Sequence, residues 1–595
     1  MSWILRLPAA WFWSIFLLAG AIRAEPAPPG GQRVIAENAF ESFSFFQERG
    51  AEGTREFIQE KGPGFSGFWR LTTPKQPAET WDLRIFSQEL AAVNKDDVLW
   101  VRFFLRGRDS RDETGESRTT FVFETADVKH SKSLDLTVSA GPEWREYQFP
   151  FSCRQGRPAG ESMVSFRFGF RPQVLEVGGL EIWNYGSSKT VDQLPRTRVD
   201  YPGREPEAAW RKKAAARIEK IRKAPLKIRL VDAQGQPVEG AEVRVRQLRH
   251  AFGFGTAVNG EWLLGPSEDS QRYRETIEQN FSKVVFEDEL KWPNWEQNRG
   301  ARRDITMRAM DWLDQRKIGI RGHVLVWPSW RYLPKDLPDL TEDQLRPRIS
   351  QHIREILTAT QGRITEWDVI NEPYAHHNLM DRLGPEAMAD WFREARAIDP
   401  RPVLFLNDYA GLAAGGLWNE HKQHFEETVK FLQKQKAPIG GIGLQCHFGW
   451  SVTPPEKALE ELDRWGKLGL EVHLTEFDVE TSDEELQADY TRDLLTLSFS
   501  HPSVTSVMIW GFWEGRHWRP DAALWRKDWS LKPNGRIWTE LTRKTWWTDE
   551  QGKTDRRGRW STRGFLGDYE IEVNGKPARE IRLAKDTGEV EIALP

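Results

Sequence analysis

The chain has 595 residues, with 84 lysines and arginines against 88 aspartates and glutamates and a formal net charge of −4. That length exceeds what one hydrophobic core serves and points to three or so domains. The near-balanced, interspersed charges exclude a partner held by bulk electrostatics, nucleic acid included.

Residues 1–24 read as an export signal. Arg6 supplies the positive start, Ala9 to Ala21 is mostly apolar, and the small Ala24 precedes Glu25-Pro26. The uncharged run between Arg6 and Arg23 is shorter than the ~20 residues a spanning helix needs. The expectation is a cleaved signal, favoured over an uncleaved anchor, and so a secreted, periplasmic or cell-surface protein with no membrane attachment once the signal is removed. The two cysteines, Cys153 and Cys446, fall in different predicted domains and are expected to be free, buried thiols.

Over residues 30–190 short apolar strands alternate with turn signals: Val98 to Leu105, Thr119 to Glu124, Leu134 to Val138, Trp144 to Phe149, Val164 to Phe170 and Gly179 to Tyr185. With no helical period competing, this is an all-β sandwich or jelly roll. Its layout resembles the carbohydrate-binding modules attached to polysaccharide hydrolases. Trp69, Trp81 and Trp100 are candidates for a sugar-stacking platform, and equally for the sandwich core. Residues 191–249 follow as a linker (Pro195, Pro202, Pro206), a helix over Glu207 to Lys223, and a hairpin of Leu226 to Val231 and Ala241 to Leu248.

Residues 250–547 alternate strands and helices. The strands are Phe252 to Val258, Lys283 to Phe286, Ile320 to Val326, Ile364 to Ile370, Val403 to Asn407, Gly441 to Leu444, Leu470 to Leu474 and Val504 to Trp510. Eight such units make a (β/α)₈ barrel. One helix is expected to start at Thr453-Pro454-Pro455-Glu456, with capping-box spacing and an early proline. Residues 548–595 form a small β-element around the turn dipeptide Asn574-Gly575.

Glu372, in Trp367-Asp368-Val369-Ile370-Asn371-Glu372-Pro373, is expected at the C-terminal end of strand four, since proline cannot continue a central strand. A second carboxylate, Glu476 in Leu474-Thr475-Glu476-Phe477-Asp478, closes another apolar strand, Leu470 to Leu474, the seventh. Barrel active sites lie at that face, and two carboxyls there suffice to cleave a glycosidic bond.

Ordered motifs across this region resemble glycoside hydrolase family 10, the retaining endo-β-1,4-xylanases. Glu287-Asp288-Glu289-Leu290-Lys291-Trp292 is similar to its E-N-E-M-K-W, and Arg321 to Trp327 to R-G-H-x-L-V-W. Trp367 to Glu372 is similar to W-D-V-x-N-E, Asn407-Asp408-Tyr409 to N-D-Y, Gln445-Cys446-His447 to Q-x-H and Thr475 to Asp478 to T-E-L-D. Trp510-Gly511, Trp518 and Lys532-Pro533 follow in order.

The resemblance implies Glu372 as acid/base and Glu476 as nucleophile, with His447 and Asp478 as a chain orienting Glu476 and Asn371 bonded to the sugar 2-hydroxyl. Once Glu476 is glycosylated and neutral, Glu372 should ionise more readily and switch to base. Glu287, Asp288, Lys291, His323, Tyr409 and Gln445 are implied substrate contacts, and Trp327, Trp510 and Trp518 the walls. The chain departs from the pattern at Asp288 (usually Asn), Pro328 (usually His) and Trp330 (usually Gln), where sugar recognition could change. No spacing resembles a zinc or calcium site and no phosphate loop stands out, so no metal or cofactor is expected. The implied partner is a polysaccharide acted on by a monomer. Xylan is the first substrate; another β-1,4 polysaccharide (β-glucan, mannan, decorated xylan) and a non-catalytic glycan-binding role are the alternatives.

Overall fold

The computed structural model describes residues 26–594 except 113, 128, 199, 298–300 and 482; the expected export signal lies outside them. The chain divides into two compact units. One comprises residues up to 108 with 118–138 and 143–197, and the other comprises 109–117, 139–142 and 198 onward.

The first unit is built on eleven strands: β1 (Gln32–Arg33), β2 (Ser44–Gln47), β3 (Thr54–Ile58), β4 (Phe68–Thr73), β5 (Leu83–Ser87), β6 (Val98–Ser110), β7 (Ser117–Thr125), β8 (Lys132–Ala140), β9 (Arg145–Ser152), β10 (Ser162–Arg167) and β11 (Gln173–Asn184). They form two sheets, in the orders β3-β4-β11-β6-β9 with β1 on β11, and β2-β5-β10-β7-β8. The predicted sandwich is present. Alternation sets its faces: in β5, Leu83, Ile85 and Ser87 turn inward while Arg84 and Phe86 stay half-exposed. The stacking platform is corrected. Trp69 and Trp100 are buried, their indole N–H groups donating to the Phe40 and Pro195 carbonyls, and only Trp81 is exposed. Cys153 and Cys446 are free and buried.

In the second unit a helix, α1 (Ala209–Arg222), runs straight into β12 (Lys223–Val231), followed by β13 (Glu242–His250). The barrel strands are β14 (Gly253–Val258), β15 (Lys283–Phe286), β16 (Gly319–Val326), β17 (Glu366–Asn371), β18 (Val403–Asp408), β19 (Gly441–Leu444), β21 (Glu471–Val479) and β22 (Val504–Ile509), with a two-residue β20 (His447–Phe448) before β21. Neighbours pair in parallel, and β22 closes on β14 through Gly253↔Ser506 to Thr256↔Ile509. All six residues of β17 are buried, as a parallel strand covered on both faces requires.

Two expectations need correction. Pro455 does begin the helix Pro455–Gly466, but the Thr453 hydroxyl donates to the Leu412 carbonyl instead of capping it. β21 does not stop before Glu476. It runs on to Val479, because the register shifts between Leu474 and Phe477 and β20 pairs with Asp478 and Val479.

After the barrel come β23 (Asp549–Lys553), β24 (Arg559–Phe565), β25 (Gly567–Val573), β26 (Lys576–Leu583) and β27 (Val590–Ala593). β12 and β13 alternate apolar and polar residues as a hairpin would, yet they lie in different sheets. β12 sits between β24 and β27, and β13 between β23 and β25. Inward residues of β12, β13, β25, β26 and β27, among them Leu226, Ile228, Val243, Val245, Tyr569 and Ile571, share one core, with Trp560 of β24 packed against it. Among the described residues no helix is long and apolar enough to cross a membrane.

Candidate active site

β17 ends at Asn371, and Glu372 follows with φ 53°. This left-handed turn is costly for a side chain larger than glycine. Backbone bonds hold it: the Glu372 N–H donates to the Asn407 carbonyl, and the Glu476 N–H to the Gln445 carbonyl. The two carboxyls are joined by a relay of amide side chains. Gln445 Nε2 donates to Glu372 Oε1 at 2.8 Å and lies 3.3 Å from Asn371 Oδ1. Asn407 Nδ2 donates to Asn371 Oδ1 at 2.9 Å and to Glu476 Oε1 at 2.8 Å. Thr475 Oγ1 donates to Asn407 Oδ1 at 2.8 Å, which fixes the Asn407 amide.

The other Glu476 oxygen faces His447, with Nε2 to Oε2 at 3.2 Å, and His447 Nδ1 lies 3.0 Å from Asp478 Oδ1. The Trp518 indole N–H donates to Asp478 Oδ2 at 2.8 Å, while its ring tilts over His447 at 4.7 Å. Burial alone would push the His447 ring down. The carboxylates of Asp478 and Glu476 outweigh it and raise the ring to about 9, so it is a cation at neutral pH. Burial opposes ionisation of Asp478, but His447, then Arg519 and His517, prevail and hold it below the usual carboxylate range. Asp478, His447 and Glu476 thus stand in a row, each within ion-pair distance of the next.

Beneath this layer His323 Nδ1 sits 2.9 Å from Asp368 Oδ2, and Arg321 bonds the same carboxylate. The Asp368 carboxyl is held low because Arg321 and His323 outweigh its burial. The ring of His323 meets Trp510 edge-on at 5.3 Å and Trp327 at 6.1 Å. Trp510 packs with Ala257, Val285, Met508 and Trp518. Trp327 stacks on Tyr332 at 3.8 Å, with Lys291 Nζ 5.5 Å from the Trp327 ring centre. Lys291 also pairs with Asp288 at 2.9 Å, and Arg516 lies 3.3 Å from Glu287 and 3.5 Å from Asp288. Burial raises the Glu287 carboxyl, whereas at Asp288 the cation of Lys291 overcomes burial and lowers it. The anion that replaces the expected amide is thus matched by two cations. Tyr409 is buried edge-on against His421, which holds Asp408 at 2.9 Å.

Sequence reasoning missed several parts. Asn407 was visible inside a motif, but spacing gave no hint that it bridges Asn371 to Glu476. Arg516, on the loop after β22, gave no signal. His376 was also missed: its Nε2 lies 3.2 Å from Glu372 Oε2. A histidine four residues after the glutamate is the one cue the sequence held.

Residues 245–536 match the model of Glycosyl hydrolase family 10. Among curated relatives, the anti-sigma-I factor RsgI6 of Acetivibrio thermocellus is 32% identical over 392 residues, covering 64% of this chain and 49% of that protein. Endo-1,4-beta-xylanase 1 of Arabidopsis thaliana is 29% identical, covering 60% of this chain and 37% of its own length. Endo-1,4-beta-xylanase 2 of the same plant is 30% identical, with 59% and 32% covered. The chain thus spans about a third to a half of the length of these relatives. The barrel of this chain, with Glu372 following β17 and Glu476 towards the end of β21, thus matches glycosyl hydrolase family 10 over residues 245–536.

Proposed function

We propose that the barrel is a retaining endo-glycosidase that cleaves internal β-1,4 bonds of xylan. Glu372 protonates the leaving oxygen while Glu476 attacks the anomeric carbon, giving a glycosyl-enzyme ester. Glu372 then takes a proton from water, which releases the sugar and restores Glu476. The observation that carries this reading is the different holding of the two carboxyls. Glu476 accepts from Asn407 and from the cationic His447, which suits an ionised nucleophile. Glu372 faces the neutral amide of Gln445 on one oxygen and the partly exposed His376 on the other, a more open setting that suits a carboxyl exchanging a proton. Asn371 Nδ2 is buried without a hydrogen-bond partner among the described residues, and a sugar 2-hydroxyl there would satisfy it.

Xylan is favoured over other β-1,4 polymers by the two xylanase relatives. A module targeting the substrate and export by the leader belong to the same reading. A second reading, a glycan-binding protein that does not cleave, is favoured by the regulatory name of one relative. Both glutamates with their partners in place weigh against it. Reducing-sugar release from xylan, arabinoxylan, mannan and β-glucan, beside Glu372→Gln, tests the proposal. Release from xylans that the variant loses supports it. Release from another polymer discards xylan, and silence across the panel favours the binding protein.

A further inference from the structure

His376 stands on the loop after β17, and two independent sets of contacts fix its ring. Its backbone N–H donates to the Glu372 carbonyl at 3.0 Å, closing one turn. Its ring meets Tyr332 edge-on at 5.1 Å and Trp327 at 6.0 Å, both on the loop after β16. Tyr332 and Trp327 are themselves stacked, and the Trp330 N–H on that loop donates to Asn378 Oδ1 at 3.2 Å. The two loops therefore lock together around the imidazole and leave Nε2 against Glu372 Oε2. The next histidine, His377, turns away to Asp381 at 2.8 Å. Among the groups facing the Glu372–His376 pair are the neutral Gln445 from the strand-six side, the phenol Tyr332 and the indole Trp327 from the strand-three loop, and Glu476 across the amide relay.

We propose that His376 is the positioning residue of the acid/base carboxyl, an inference that rests on the reading of Glu372 as acid/base. Gln445 holds Oε1 and His376 holds Oε2, so the carboxyl plane is fixed before substrate arrives. Each oxygen keeps a second lone pair for the reaction. Nε2 lies 3.2 Å from Oε2, and an N–H directed there as the site closes on substrate would favour the charged form of the carboxylate. In the first step the proton passes from Glu372 to the leaving oxygen as the C1–O bond breaks and the bond to Glu476 forms. His376 neither gains nor loses a proton overall.

The test compares substrates that need the acid with substrates that do not, using the full chain. His376→Phe keeps a ring against Tyr332 and Trp327 but removes the nitrogen, and His376→Gln restores a donor. His376→Phe should lose about tenfold or more in kcat/KM on xylohexaose, where a poor leaving group needs the proton. On a dinitrophenyl xylobioside it should lose less than about threefold. The alkaline limb of its kcat/KM profile should move upward, because a carboxyl without its donor keeps its proton to higher pH. His376→Gln should recover most of the loss. Equal losses on both substrates with an unmoved limb would show that the ring only packs, and would overturn the inference. Where the phenylalanine variant does not fold, His376→Asn, too short to reach Oε2, is read the same way. Glu372→Ala separates the two readings. If it fails to discriminate between the substrates, the assignment of Glu372 falls. If it discriminates and His376→Phe does not, only the role of His376 falls.

Discussion

Glu476 takes one N–H from Asn407 and another from His447, which is anchored in turn by Asp478, and all of these side chains are buried. Glu372, an amide relay away, has the neutral Gln445 on one oxygen and His376, whose side chain is 22% exposed, on the other. Glu476 is set in a closed, charged frame. Glu372 is set in a more open place, between two loops. Under the proposed mechanism the difference suits their tasks: Glu476 would attack as a carboxylate, whereas Glu372 would give up a proton and take it back, which calls for an edge that water and the leaving group can reach.

Removing the nucleophile breaks this comparison most severely. Glu476→Ala should lower kcat by at least about 10⁴-fold. Azide should restore turnover with a glycosyl azide of the opposite anomeric configuration as product. A rescued product of unchanged configuration, or none, would sink the assignment.

His447→Asn sharpens the comparison, because it opens the closed frame without touching the acid. Loss of one charged donor should lower kcat about 10²–10³-fold with KM little changed. The same substitution should alter stability against pH. The His447 ring is raised from its ordinary value of 6.5 to about 9. Its contribution is therefore complete below pH ~6.5 and lost as pH rises through about 9, by linkage a matter of ~3 kcal/mol. The carboxyl of Asp478 is lowered, so its part holds above pH ~4 and is lost only as pH falls through its folded value. Urea midpoints at pH 6 and pH 9.5 should show the gap between the wild type and His447→Asn closing at the higher pH. A gap that does not change with pH would mean that the ring is not held as a cation.

The smallest effect concerns sugar recognition. Asp288 is ion-paired with Lys291 and Arg516, and Arg382 lies 5.8 Å from the Trp330 ring centre. Changing Asp288 to Asn and Trp330 to Gln together should raise kcat/KM on short xylo-oligosaccharides by a few-fold to about tenfold. No gain would show that these positions do not set specificity.

Much of the barrel was legible because a parallel strand buried on both faces is an uninterrupted apolar run, and Lys283 to Phe286 and Gly441 to Leu444 match the observed strands residue for residue. The nearness of Glu372 and Glu476 in the fold was legible because both follow such apolar runs, at the same end of the barrel strands. Side-chain bridges were not. Asn407 reaches Glu476 across 69 positions and Gln445 reaches Glu372 across 73, and no local period records such pairings. Tryptophan misled in the sandwich for a related reason, since the same indole serves a core or a sugar face and only the partner of its N–H tells which.

The interleaved β-element imposes an order on the birth of the molecule. β12 and β13 leave the ribosome before the barrel, but β23 to β27, which complete their sheets, follow roughly 300 residues later. At ordinary rates of synthesis that is a delay of about 15 to 60 s. During that interval the apolar faces of Leu226, Ile228, Val243 and Val245 have none of their final neighbours from the end of the chain. The guanidinium- and lysine-rich outward faces of the same strands, Lys227, Arg229, Arg244 and Arg246, then help keep the waiting edges from pairing with another nascent chain. Strands β23 to β27 are thus the ones that release β12 and β13 from waiting.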